Sequence, residues 1–112
     1  KDYARFETVQ SYYSIAGRDL EREIVPLLNE EKLGLMVWSP MAGGLLSGKY
    51  GPGAPGNGEG RRANFNFPPV NEDRARAAVA VMREIARKHD ISVATVALGY
   101  VLAKPLDRKS VV

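Results

Sequence analysis

The sequence predicts an α/β fold built on a parallel βαβ unit, and three observations carry that reading. Residues 6–12 alternate Phe6, Thr8, Gln10 and Tyr12 against Glu7, Val9 and Ser11, with the aromatic and β-branched content of a strand. Leu20, Ile24, Leu27 and Leu28 then fall at i, i+4, i+7 and i+8, which is one face of a helix. The run "LGLMVWS" follows, bounded by Gly34 and Pro40. It is apolar at consecutive positions, so it should be buried on both faces, as in a parallel strand flanked by helices.

The first strand is expected over residues 6–12 and the second over 35–39. Asp19 is placed to cap the intervening helix. Pro26 complicates that helix, because an interior proline loses a hydrogen bond and clashes with the previous turn. The helix either bends there or begins near Pro26 after a loose first turn. Residues 51–60, "GPGAPGNGEG", read as a loop. Asn71 is a good N-cap, and Glu72 and Asp73 suit the positive end of a helix dipole. Ala75, Ala78, Met82, Ile85 and Ala86 are expected to form that helix's buried face. Arg87, Lys88 and His89 suit its negative end. Ser92 caps a further helix, "VATVALGYVLAK", apolar on most sides and ended by Pro105.

Composition bounds the function classes. The chain has 112 residues, 45% of them apolar and 26% charged, with a net charge of +3. Basic residues are spread among acids, which argues for a solvated mixed surface and against a nucleic-acid stripe. No apolar run approaches the roughly 20 residues that span a bilayer. There is no cysteine and one histidine, so neither disulfides nor a metal site are expected. These features predict a cytoplasmic protein without nucleic-acid or membrane partners. The start without Met and the ending "DRKSVV" suggest a fragment.

The stretch "SPMAGGLLSGKY" follows the second strand and admits three readings: a nucleotide triphosphate site, a plain turn, or a phosphate-binding loop of another kind. Gly43, Gly48 and Lys49 keep the spacing of a P-loop. A P-loop also needs a short hydroxyl after the lysine to hold Mg²⁺ and a helix whose N-terminus faces the phosphate. Here Tyr50 follows the lysine and a glycine-rich loop follows Tyr50. The triphosphate reading therefore fails, and by spacing alone the stretch reads better as a plain small-residue turn. "GPGAPG" formally matches G-x-G-x-x-G, but no strand leads into it, no helix leaves it, and it contains two prolines.

Three blocks in order, "VQSYYSIAGRDLEREIVPLL", "WSPMAGGLLSGKY" and "GRRANFNFPPVNEDRARA", resemble the aldo/keto reductase family. The likeness is greatest to bacterial members and more distant to the β subunits of voltage-gated potassium channels. It implies a partial TIM (β/α)₈ barrel, with residues 6–12 as the sixth strand and 35–39 as the seventh. It covers residues 1–106 as part of a reductase domain and leaves 107–112 as a non-native tail, since "DRKSVV" before a stop is what common adapter DNA encodes. A whole barrel takes about 250 residues.

The activity implied is hydride transfer from NADPH, or NADH, to an aldehyde or ketone, a small-molecule carbonyl substrate. By the same resemblance Gln10 holds the nicotinamide carboxamide and Trp38 stacks on the nicotinamide ring. Ser39, Pro40, Met41 and Gly43 line the pyrophosphate, and Lys49 comes near the phosphates. Arg61 stands at the cofactor's outer side, with Arg62 able to take the same role. The family's catalytic tyrosine, lysine, aspartate and histidine are expected N-terminal to residue 1, so the chain by itself is predicted to be inactive. Tyr12, Tyr13 and Tyr50 do not match the catalytic tyrosine, and His89 reads as a helix-end residue. The alternative implied is a piece of a cofactor-sensing, non-catalytic subunit like the channel β subunits.

Overall fold

The chain is described by a computed structural model covering residues 2–51, 62, 65–106 and 109–111. Three parallel strands form one sheet in the order β1 (Thr8–Tyr12), β2 (Gly34–Trp38) and β3 (Lys109–Val111). The α-helices α1 (Ile24–Glu31), α2 (Glu72–His89) and α3 (Val93–Leu102) lie among the described residues. β1 is aligned with β2 from Thr8↔Gly34 to Tyr12↔Trp38. The βαβ reading is therefore correct. β1 begins two residues later than expected, and Phe6 lies outside it, 85% exposed. β2 starts and ends one residue early, because Ser39 turns into the left-handed region at φ 52°.

The first helix departs from the expected face. Asp19 caps nothing; it opens a 3-10 turn over Asp19–Glu21, and α1 starts separately at Ile24. Leu20 thus belongs to another element, and the i, i+4 series through it is broken. Leu28 is buried, whereas Ile24 and Leu27 are partly exposed. Pro26 sits in the first turn, where its missing N–H would have had no partner in the helix anyway.

α2 begins as its sequence predicts. The Asn71 side chain accepts a hydrogen bond from the Arg74 N–H at 3.0 Å. Its buried stripe is Ala75, Val79, Met82 and Ala86, spaced i, i+4, i+7, i+11. Ile85 is 40% exposed and Val79 takes the place expected for it, because the stripe follows the neighbours it meets, Ala42, Leu46 and Ala97. α3 is capped by Ser92, whose hydroxyl accepts from the Thr95 N–H at 3.0 Å.

Two apolar clusters hold these parts together. Tyr13, Leu20, Leu28, Leu35, Val37, Val101 and Leu106 pack on one face of the sheet. Each fully buried Leu or Val there contributes about 1.5–3 kcal/mol. Ala42, Leu46, Val79, Met82 and Ala97 join the turn after β2 to α2 and α3. The opposite sheet face carries Thr8, Gln10, Tyr12, Met36 and Trp38 by strand alternation. Thr8 and Gln10 on it are exposed and Met36 and Trp38 only partly covered. The expectation that β2 is buried on both faces thus holds for one face among the described residues. Three residues of the expected tail, Lys109–Val111, lie along β2 as β3.

Candidate functional site

The partly open sheet face leads at its C-terminal end into a tight turn. Trp38 is the last residue of β2, and Gln10 lies on the same face of the adjacent strand, paired with Met36. Tyr12 pairs with Trp38, and their rings lie 5.2 Å apart, tilted by 37°. Phe67 stacks on the indole at 5.5 Å with the planes only 6° apart. Phe65 continues the row at 5.8 Å. Four aromatic rings therefore run across the mouth of the sheet.

The turn after Trp38 is built from left-handed residues. Ser39 and Ala42 have φ of 52° and 50°, and Gly43 and Gly44 have 67° and 98°. For the two non-glycine residues this conformation costs on the order of 1 kcal/mol each. The turn's own bonds hold it. Ala42 N–H donates to the Ser39 carbonyl at 2.9 Å, and Gly44 N–H to the Met41 carbonyl at 3.0 Å. The Ser39 Oγ accepts from the Gly43 N–H at 2.9 Å. That bond uses the oxygen's lone pair and leaves the hydroxyl proton to be donated elsewhere.

An open pocket of ≈ 470 Å³ lies against this turn, lined by Trp38, Ser39, Pro40, Met41, Gly43, Gly44 and Phe67. Lys49 folds back toward it: its Nζ is 3.6 Å from where a Cβ on Gly44 would stand. The same ammonium faces the Tyr50 ring at 5.5 Å. Of the predicted residues, Trp38, Ser39, Pro40, Met41 and Gly43 thus share one pocket, and Lys49 lies beside Gly44. Gln10 is set apart on the sheet face. Arg61 lies outside the described residues.

Phe67 and the burial of Arg62 escape sequence reasoning. "FNFPP" carries an aromatic signal, but nothing local says which ring Phe67 meets. Tyr12 is pushed up from the usual phenol range, chiefly by burial, with the Ser14 hydrogen bond and the Arg62 charge opposing. Away from the pocket, Glu21 accepts from Tyr13 and Tyr100 and pairs with Arg18 at 2.8 Å and Lys104 at 3.7 Å. The Arg18 hydrogen bonds lead in lowering its carboxyl to about 2.

The fold class defined here is α/β with a parallel sheet and a site at the strands' C-terminal ends. The family model for the aldo/keto reductase family matches residues 1–112, so the chain belongs to the aldo/keto reductase family. An aryl-alcohol dehydrogenase of Pestalotiopsis microspora is 34% identical over 99 residues, covering 88% of this chain and 24% of that protein. Protein tas of Escherichia coli K12 is 31% identical over 104 residues, covering 93% and 30%. An uncharacterized oxidoreductase of Bacillus subtilis is 32% identical over 99 residues, covering 88% and 28%. The chain thus spans 24–30% of the length of these relatives. The structure of a glycerol dehydrogenase from Gluconobacter oxydans superposes with a TM-score of 0.69 at 23% identity, over 94% of this chain and 33% of that one. The family fold is the TIM barrel, of which the described residues form a small α/β piece.

Proposed function

We propose that this chain is the cofactor-binding segment of an NAD(P)H-dependent aldo/keto reductase, contributing the barrel's sixth and seventh strands as β1 and β2. The observation that carries the reading is the junction of Trp38 with the left-handed turn Ser39–Gly44 and the folded-back Lys49. A dinucleotide asks for a flat surface beside a hydroxyl donor and a cation, and these lie within one pocket's reach. NADPH supplies a hydride for an aldehyde or ketone when bound.

In this reading Trp38 orients the nicotinamide ring by stacking, and Gln10 fixes its carboxamide through an amide that can donate and accept. Ser39 donates its free hydroxyl proton to a pyrophosphate oxygen. Pro40, Met41 and Gly43 shape the wall beside it, where Gly43 permits close backbone approach. Lys49 supplies the positive charge, and the family likeness assigns the cofactor's outer side to Arg61. The proton donor comes from outside these 112 residues, so the chain alone has no turnover.

Three of the four relatives described above are named as a dehydrogenase or an oxidoreductase, which supports an enzyme over a cofactor-sensing subunit. Residues 107–112 remain, in our reading, a tail foreign to the 1–106 reductase segment; an unbroken genomic frame through them would show otherwise. The direct test is NADPH titration followed by fluorescence of Trp38, the chain's single tryptophan. Saturable quenching that Ser39→Ala weakens is expected, and Trp38→Ala, which removes the reporter, should weaken NADPH binding measured by calorimetry. No saturable NADPH binding by calorimetry would refute the reading.

A further inference from the structure

We propose that Arg62 is a positioning residue that clips the aromatic segment onto the cofactor turn, rather than a ligand of the cofactor's phosphates. The inference rests on the cofactor reading for its consequence, though not for its geometry. Arg62 is 8% exposed, which is unusual for a guanidinium. Its Nη1 donates to the Ala42 carbonyl at 3.3 Å and to the Pro68 carbonyl at 2.8 Å. Its Nη2 donates to the Asn66 Oδ1 at 2.8 Å. One side chain thus ties the left-handed turn to the residues on both sides of Phe67.

The clip sets where Phe67 sits. The Phe67 carbonyl would lie 2.8 Å from a Cβ on Gly43, so the segment packs on the turn as closely as glycine permits. With its backbone held there, the Phe67 ring stacks on Trp38. Phe67 and Trp38 both line the pocket against the turn and the larger cavity beside β1. The stacked pair is therefore a wall between the two spaces, and Arg62 fixes that wall.

The same geometry argues against a phosphate contact. Bidentate recognition of an anion uses two donors on one edge of the guanidinium. Nη1 is spent on two carbonyls, Nη2 is partly spent on Asn66, and Nε is sealed from solvent without a partner among the described residues. A planar fork meeting three separate oxygens is also something lysine cannot reproduce.

The test uses the purified chain with Trp38 as reporter and three variants: Arg62→Met, Arg62→Lys and Phe67→Leu. Without cofactor, all three should lose most of the near-ultraviolet circular dichroism of Trp38 while keeping the wild-type far-ultraviolet spectrum. With NADPH, Arg62→Met and Arg62→Lys should both weaken binding about 10-fold. That loss should be the same at about 0.05 and 0.5 M salt, because no exposed charge contact is removed. An unchanged Trp38 signal in Arg62→Met would overturn the proposal. So would near-normal affinity in Arg62→Lys together with a loss that fades in salt, the mark of a direct phosphate ligand. If burial makes the Arg62 variants unfold, Asn66→Ala removes one acceptor only, and a partial loss of the Trp38 signal is then expected; no loss overturns the clip. A wild-type chain that binds no NADPH yet shows the Trp38 changes would sink the cofactor reading and leave the clip standing.

Discussion

Gly43 carries two constraints at one residue. Its φ of 67° belongs to the left-handed region, and an added Cβ would stand 2.8 Å from the Phe67 carbonyl. That oxygen is backbone and cannot rotate away. Gly43→Ala should therefore destabilise the chain by about 1–2 kcal/mol and displace Phe67 from Trp38. Thermal unfolding with the near-ultraviolet signal of Trp38 checks both parts. Gly51 also has a positive φ, 96°, but nothing among the described residues lies within 4 Å of its Cβ position, so Gly51→Ala should cost backbone strain alone and leave the Trp38 signal intact. At this scale the candidate site was half legible. Trp38 through Lys49 are contiguous, and their small residues signal a tight turn after a strand. Arg62 acts on Ala42 from 20 positions further on, and only packing shows which carbonyls the guanidinium meets. A basic residue after a glycine-rich loop looks exposed in sequence; here three oxygens bury it.

Elements were legible where their cause is local. Asn71 and Ser92 cap α2 and α3 as their side-chain chemistry dictates. Each cap replaced by alanine should cost about 1 kcal/mol, measurable by denaturant unfolding. Faces were less legible, because a stripe's centre depends on the partner. Periodicity alone admits both Val79 and Ile85 on the α2 core, but Val79 is 7% exposed and Ile85 40%. Val79→Ala should thus destabilise by about 1–2 kcal/mol and Ile85→Ala by less than about half that. The Glu21 cluster joins the 3-10 turn to α3 through Tyr100 and Lys104. Its carboxyl falls from 4.5 to about 2, chiefly by hydrogen bonding to Arg18. The folded value is the lower one, so this stabilisation is present above pH 4.5 and lost as pH falls toward 2. After screening at a partly exposed site it amounts to on the order of 1 kcal/mol. Glu21→Gln should lower stability at pH 7 and flatten its dependence between those pH values; an unchanged acid-unfolding curve would count against the cluster.

For the whole molecule, the deciding feature is a sheet that the described residues cover on one side. Leu35, Val37 and Tyr13 are buried beneath it, while Thr8 and Gln10 on the other face stand in solvent. β1 is also an edge strand in the described sheet, and Phe6 just before it is 85% exposed. An open edge with apolar residues beside it is a template for pairing with another chain. The parallel arrangement was legible from the apolar run of β2, whereas the one-sided burial was not, since a strand's composition reports what covers it in its full context. The 112-residue chain should therefore self-associate, with a midpoint of thermal unfolding that rises with protein concentration. Charging the edge should oppose this: the double variant Phe6→Lys, Thr8→Lys is expected to shift the sedimentation profile toward monomer at equal concentration. The substitutions lie off the buried face, so the far-ultraviolet spectrum should be unchanged. A wild-type chain that stays monomeric, with one sharp transition at every concentration, would show that the uncovered face carries no such cost.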